Sequence, residues 1–309
     1  MRICVATYNL YLGADLSVLL GDATGERLDA YRADVERQLD VTAFPGRAPA
    51  IARILVREQV DLVGLQEVCT WRADGELLWD YTAELLEALE ALGEPYDVVV
   101  SLPTFHGSGE VDRAGRAETM QLEGHNTILR RRGSAVRVEA TDSRMYGSAL
   151  SVRLMGALEI SIDRGWCAAS CTVDGEPGGF TFVDTHTEAY DAGPRNEQRA
   201  ELVDALPGEP PLVLVGDFNA PPDSVGMPAE LVDAWLAAGN PSEGPDAATC
   251  CQAGDLANPE SQLTERIDYI WVRDVVVESC TRVGADAEDR TENGLWPSDH
   301  AGLVARLVV

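Results

Sequence analysis

Apolar residues recur along this chain in two rhythms, and the alternation between them predicts its elements. Ile3 to Tyr8 is a β-like run. The charged segment Asp15 to Ala48 carries Leu28, Tyr31, Val35 and Leu39 at three- and four-residue steps, the spacing of one helix face. We read it as a helical insertion, at about 15–48, ahead of a first main helix at Ala50 to Gln59, where Ile51, Ile54 and Leu55 form one stripe. Val60 to Leu65 reads as a buried strand ending at Gln66-Glu67. A second amphipathic helix is expected from about Leu78 to Leu92, and Pro95 stops it before a strand at Tyr96 to Val100. Ser101 to Glu123 is polar and Gly-rich, which predicts a long loop.

Strands resume at Thr127 to Arg130, Val136 to Ala140, Ser148 to Leu154, Trp166 to Val173 and Phe180 to Asp184, the last two joined by the turn Asp174 to Gly179. A helix from Asn196 to Leu206 precedes the all-apolar Leu212 to Val215, which belongs in the middle of a sheet. The final strands are Arg266 to Arg273, Val275 to Cys280 and Ala301 to Val309. Some strands are linked by helices and others by hairpins, so two sheets packed face to face under helices form a natural arrangement. No repeat or linker divides the chain, and the expectation is one domain over residues 1–309.

Where the polar residues interrupt this pattern is informative. Asn9 ends the first strand, Glu67 the second, His186 the hairpin strand, and Asp217 and Asn219 the most apolar one. Asp268 sits inside an apolar strand, where a carboxylate needs a partner, and Asp299-His300 opens the last. Strand ends can converge on one rim of a sheet. Asp217 and Asn219 are two residues apart and point the same way if the strand continues through them. A set rich in carboxylates and amides and poor in histidine suits a hard cation, Mg²⁺ or Mn²⁺, that leaves positions for substrate oxygens. A zinc tetrahedron needs more nitrogen or sulfur.

Composition narrows the partners. The 309 residues hold 52 Asp+Glu against 24 Lys+Arg, a formal charge of -28, and every one of those 24 cations is arginine. A basic nucleic-acid-binding surface is excluded, because a surface this acidic repels polyphosphates at long range. A nuclease is not excluded, since a bound divalent cation supplies positive charge locally. Arg113 with Arg116, and Arg130-Arg131-Arg132, are the local basic clusters, and we expect them to pair with surface carboxylates. The seven cysteines lack paired C-x-x-C spacing. Cys167 and Cys171 read as buried thiols, and the adjacent Cys250 and Cys251 as loop-packing residues, with a vicinal disulfide as the lesser alternative. No apolar run approaches the roughly 20 residues of a spanning helix, and the first residues lack a signal-peptide core. The expectation is a cytoplasmic monomer.

Six motifs in order resemble the endonuclease/exonuclease/phosphatase superfamily, which includes pancreatic-type deoxyribonucleases, apurinic endonucleases, neutral sphingomyelinases and inositol polyphosphate phosphatases. They are Thr7-Tyr8-Asn9-Leu10, Asp61 to Glu67, Asp184-Thr185-His186, Gly216-Asp217-Phe218-Asn219, Arg266 to Ile270 and Ser298-Asp299-His300. The resemblance implies a four-layer α/β/β/α sandwich with the site at one end of two sheets, and a metal-dependent hydrolase acting on phosphoester bonds. It implies that Glu67 is the principal metal ligand, with Asn9 and Asp299 completing or supporting the shell. It makes His300, oriented by Asp268, a general base or a phosphate contact. Asp217 would position or deprotonate the attacking water, and Asn219 and His186 would hold phosphoryl oxygens.

Two departures stand out. Thr187 follows His186 where the family often has an apolar residue, and His125 is unusual in Gly124 to Leu129, a segment that resembles one whose asparagine, here Asn126, approaches the phosphate. The motifs fix the chemistry and leave the substrate open. The insertion and the segments Ser101 to Glu123 and Ala247 to Glu265 could wall the site, which favours a small or extruded substrate. The leading expectation is a phosphodiester or small phosphorylated substrate. The alternatives are a nuclease of the same superfamily and a non-hydrolytic or repurposed metal-binding member acting in secondary metabolism.

Overall fold

The first apolar run becomes a strand buried on both faces: Ile3 and Val5 of β1 (Arg2–Asn9) point between two sheets, while Cys4, Ala6 and Tyr8 pack toward helices. The computed structural model describes residues 2–16, 26–113, 116–154, 158–209 and 211–309. After β1 come α1 (Glu26–Val41), α2 (Phe44–Arg57), β2 (Leu62–Ala73), β3 (Glu76–Asp80) and α3 (Tyr81–Ala91). The long pair β4 (Tyr96–Arg113) and β5 (Arg116–Arg131) follows, then β6 (Val136–Met145), β7 (Leu150–Leu154) and β8 (Leu158–Ile162). β9 (Gly165–Val173) and β10 (Gly179–His186) form the expected hairpin, and α4 (Ala192–Ala205) leads to β11 (Leu212–Asp217). The chain closes with β12 (Val232–Asp233), α5 (Ala234–Ala237), β13 (Asp268–Arg273), β14 (Val276–Val283) and β15 (Gly302–Val308).

One sheet runs β14-β15-β1-β2-β5-β4 with β3 on β2, and the other runs β12-β13-β11-β10-β9-β6. Their inner faces share a core that includes Val5, Leu62, Phe182, Val215 and Ile270. Gly64 sets the closeness of the sheets: a Cβ there would lie 2.5 Å from an Asp184 carboxylate oxygen and 2.6 Å from the Val215 side chain. The outer face of the first sheet packs on Ile51, Ile54 and Leu55 of α2 and on Leu85 and Leu89 of α3. Leu202 of α4 covers Val183, Leu214 and Tyr269 on the outer face of the second. This is a four-layer α/β/β/α sandwich. Among the described residues no helix is long and apolar enough to cross a membrane.

Several expected elements change. α2 starts at Phe44, inside the span assigned to the insertion, because Pro45 in its first turn needs no amide partner. Residues 17–25 of that span lie outside the described residues. The helix expected from Leu78 starts at Tyr81, since Glu76–Asp80 pairs with β2 and Asp80 caps α3 by accepting the Ala83 amide. The strand expected at Arg266 begins at Asp268. The largest difference is Ser101 to Glu123: it is not a loop but the far half of the β4–β5 pair, in register from Leu102↔Asn126 to Arg113↔Arg116. Its glycines hid the alternation. Arg131 pairs with Asp61, Arg130 and Arg132 with Asp97, and Arg116 with Asp74. The side chain of Arg113 lies outside the described residues.

Candidate active site

The strand ends bring their polar side chains to one rim. β10, β11 and β13 lie side by side, with His186 opposite Asp217 and Asp217 opposite Asp268. Asp217 is the hub. Its Oδ2 accepts from Asn9 Nδ2 at 3.0 Å, lies 3.5 Å from His186 Nε2 and 3.7 Å from His300 Nε2. Its Oδ1 accepts the Asn219 amide at 2.9 Å, across an Asx turn that holds Asn219 at a φ of 47°. The Asn219 side chain donates to the Thr187 carbonyl, and Thr187 Oγ1 donates to that of Phe218. Thr187 therefore joins the two strand ends, which accounts for a polar residue after His186.

His300 Nδ1 stands 2.9 Å from Asp268 Oδ2, so the ring donates there and presents Nε2 to Asp217. The Ile267 and Asp268 amides donate to Thr249 Oγ1, which fixes the start of β13. Burial opposes a charge on His300, but Asp268, Asp299 and Asp217 outweigh it and push its pKa well above the ordinary value. His186 moves the other way, driven down by burial, then by Arg164 and His300. Arg164 Nη1 lies 3.1 Å from His186 Nδ1 and can only donate, so the neutral imidazole keeps its proton on Nε2, facing Asp217. Burial, then Asp268, pushes Asp217 up to about 7, with His300 and the Asn219 and Asn9 hydrogen bonds pulling it back.

Glu67 reaches the cavity through a bulge. Pairing of β2 with β5 slips between Leu65↔Thr127 and Val68↔His125, so that Gln66 and Glu67 oppose Asn126 alone. Glu67 adopts a φ of 54°, a strained conformation for a non-glycine residue and one found preferentially at functional sites. The extra residue sends Gln66 inward to Thr7 and Asp184 while Glu67 faces the cavity. The strand does not end at Glu67, as its sequence suggested, but continues through the bulge to Ala73.

Among the described residues the Glu67 carboxylate has one hydrogen bond, from the Leu12 amide to Oε2 at 2.8 Å, and no cationic partner. Asp299 is pushed up to about 7 by burial, with Glu67 adding to the shift and His300 and Arg47 opposing it. Two carboxylates that repel one another, one of them without a cationic partner, suit a hard divalent ion. Asn9 is engaged within the protein, its Oδ1 accepting the Tyr11 amide as its Nδ2 serves Asp217. A second oxygen and nitrogen group, Asp217, Asp268 and His300, has ligand atoms within 4.8 Å of one another, but there the His300–Asp268 hydrogen bond already uses one pair.

Asn126 is fully buried; its Nδ2 donates to the Gly165 carbonyl, its Oδ1 has no hydrogen-bond partner, and, like Asn9, Asp268 and Asp299, it stands behind the residues that line the cavity. The bulge opposite it turns the rim toward Glu67 instead. His125 bonds Ser101 and faces Glu123.

Two features escaped the sequence reading, and in a third the lesser of two alternatives holds. Arg164 lines the cavity, its buried Nε without a hydrogen bond but 3.9 Å from Glu188 Oε2, and only its position just before β9 could have hinted at it. Arg47 is fully buried and donates to the carbonyls of Leu10, Tyr11, Thr42 and Pro297, tying the loop after Asn9 to the one before Ser298. Cys250 and Cys251 are joined in a vicinal disulfide rather than acting as packing residues alone, and Cys250 bridges to His300. Cys167 and Cys171 are free and buried, as expected.

The profile of the Endonuclease/Exonuclease/phosphatase family matches residues 6–300. Solved structures agree on the fold. An endonuclease/exonuclease/phosphatase from Bacteroides vulgatus superposes with a TM-score of 0.62 at 18% identity, over 100% of this chain and 99% of that one. The Bacteroides thetaiotaomicron mannosyl-6-phosphatase gives 0.59 at 19%, over 99% and 100%. D. rerio TDP2 complexed with single-strand DNA product gives 0.61 at 15%, over 100% and 99%. No curated protein matches the chain. With a family match spanning residues 6–300 and the same sandwich in its structural neighbours, this chain belongs to the endonuclease/exonuclease/phosphatase family, whose members are hydrolytic phosphoesterases.

Proposed function

We propose that this protein is a divalent-metal-dependent phosphoesterase, acting as a single-domain monomer on a phosphodiester or small phosphorylated compound. The observation that carries the reading is the convergence of Glu67, His186, Asp217 and His300 on one cavity, with Asn9 and Asp268 holding Asp217 and His300 from behind. Glu67 and Asp299, with Asn9 in support, would hold Mg²⁺ or Mn²⁺. Such a cation polarises a phosphoryl oxygen and neutralises developing charge.

The remaining work falls to the side chains. Asp217, with a pKa raised to about 7, is matched to take a proton from an attacking water, and Asn9 and the Asn219 amide fix its orientation. His300 enters as an imidazolium braced by Asp268, so it acts as a donor to phosphate or to the leaving oxygen rather than as the base. His186 and Asn219 line the cavity as neutral donors to the equatorial oxygens. Arg164 supplies the cationic side chain that a lysine-free sequence must find elsewhere.

The test is a panel of DNA, RNA, a chromogenic phosphodiester, a phosphomonoester and sphingomyelin, run with Mg²⁺, Mn²⁺ and chelator. We expect turnover of at least one small ester with metal and none in chelator. Efficient plasmid cleavage would move the reading to the nuclease, against the -28 charge. Inactivity on every phosphoester together with calorimetric metal binding would favour the repurposed member.

A further inference from the structure

The cavity at the catalytic rim is far larger than a phosphate needs, about 440 Å³, a size typical of sites that hold a small organic ligand. Beyond His300 and Asp217 its lining turns apolar. The far half of the β4–β5 hairpin contributes Phe105, Gly107, Gly109, Met120, Leu122 and Gly124. These residues alternate along their strands, so they share one face.

The register makes this face distinctive. Phe105 pairs with Gly124, Gly107 with Leu122, and Gly109 with Met120. In three successive pairs on one face a glycine stands opposite a large apolar residue, which leaves a trough bounded by the Phe105 ring, 3.3 Å from where a Gly107 Cβ would lie, and open beyond it toward Gly109. Glycine weakens a strand interior, and its presence there often marks the close approach of a ligand or another backbone. At Gly109 a Cβ would meet nothing within 4 Å. Across the cavity stand Val35 and Leu39 of α1, with Leu12 and Trp71 beside them. The helix expected to wall the site therefore walls it with apolar side chains.

We infer that the organic part of the substrate is apolar: the chain hydrolyses a phosphoester whose alkyl or aryl group lies in the glycine-lined trough while its phosphate meets the rim. This deepens the proposed function and rests on it for the chemistry. The trough opens directly onto His300, Asp217 and Arg164, so an occupant tethered to a phosphate at the rim reaches it. Among the described lining residues away from the rim the polar ones are Asp15, Thr104, Ser108 and Tyr190, and none is cationic, so a polyanionic chain such as a polynucleotide finds no counter-charge along it.

Calorimetry with methyl-, butyl- and octylphosphonate in Mg²⁺ buffer reads the trough without requiring turnover. Affinity should rise roughly threefold to fourfold per methylene until the trough is full. The matching n-alkyl phosphates should show the same rise in kcat/KM, and phenyl and naphthyl phosphates separate a ring-shaped from a chain-shaped occupant. Gly109→Leu fills the trough and should cut the octyl-to-methyl affinity ratio at least tenfold; Gly109→Glu, which places a charge there, should do the same. Affinity independent of chain length, or a ratio unchanged in both variants, overturns the inference and leaves the phosphoesterase reading standing. Chain-length-dependent affinity with no hydrolysis of any ester supports the trough and overturns the chemistry.

Discussion

The cavity has two halves built by different means. The rim collects polar side chains from strand termini, the residues flanking them and the bulge in β2, and partners hold them: Asn9 on Asp217, His300 on Asp268, Arg164 on His186. The opposite wall comes mostly from one hairpin and one helix and consists of apolar side chains with glycines between them. Rim residues sit on strands anchored in the two-sheet core, which suits chemistry that depends on distances of a few tenths of an ångström. The hairpin extends past that core, where side chains can change without disturbing the rim. On the proposed reading, the fold separates the reaction from the choice of substrate.

The sharpest way to break that division is to disable the rim and watch the wall. His300→Ala and Asp217→Ala should each lower kcat by about 10²- to 10⁴-fold. Octylphosphonate affinity should fall far less, and far-UV circular dichroism should keep the wild-type spectrum. Loss of activity accompanied by loss of fold would show that the rim is structural. Arg164 gives the next largest effect. Charge-assisted contacts are worth about 1.5–3 kcal/mol, so Arg164→Ala should lower kcat/KM roughly 10- to 100-fold, and Arg164→Lys should recover part of it. An Arg164→Ala enzyme with wild-type kcat/KM would remove that residue from the phosphate site.

The two halves also differ in how readable they were. Asn9, Glu67, His186, Asp217, Asp268 and His300 were legible because each interrupts or ends an apolar strand, where a polar side chain needs a reason. The sandwich followed from the same strands, and the order of six motifs supplied the rest. The wall was not legible. Gly107, Gly109 and Gly124 read as loop residues in isolation, and only the register with Leu122, Met120 and Phe105 gives them a purpose. Arg164 was hidden for a similar reason, since its value comes from His186, 22 residues away in sequence. The bulge in β2 was invisible in the sequence, and it decides that Glu67 rather than Gln66 faces the cavity.

The smallest effect concerns pH. In chelator, Asp217 and Asp299 keep protons up to about pH 7 in the folded state, against ordinary values near 3.8 when unfolded. A raised carboxyl contributes stability that is present at low pH and lost as pH rises through the folded value. His300, also raised, has the same sign, and His186, lowered, begins to oppose it only below about pH 6.5. The melting temperature of the chelated protein should therefore fall from pH 6.5 to 8, most steeply below pH 7, where the folded carboxyls still hold protons that the unfolded chain has lost. Glu84, behind the wall on α3, is pushed up to about 7 by burial and contributes with the same sign. Glu84→Gln should remove only its part of the slope. A flat profile in wild type would mean that the rim carboxyls ionise together without a cation, contrary to the electrostatics described here.

The central claim is that the rim hydrolyses phosphoesters only with a divalent cation at Glu67 and Asp299. Its most direct test is the turnover of a small phosphoester by exhaustively chelated protein, before and after Mg²⁺ or Mn²⁺ is restored, with Glu67→Gln in parallel. The account predicts that chelation abolishes turnover, that either ion restores it in wild type, and that Glu67→Gln recovers little at the same ion concentration. Full turnover in chelator by folded protein, or equal recovery in Glu67→Gln, would contradict it.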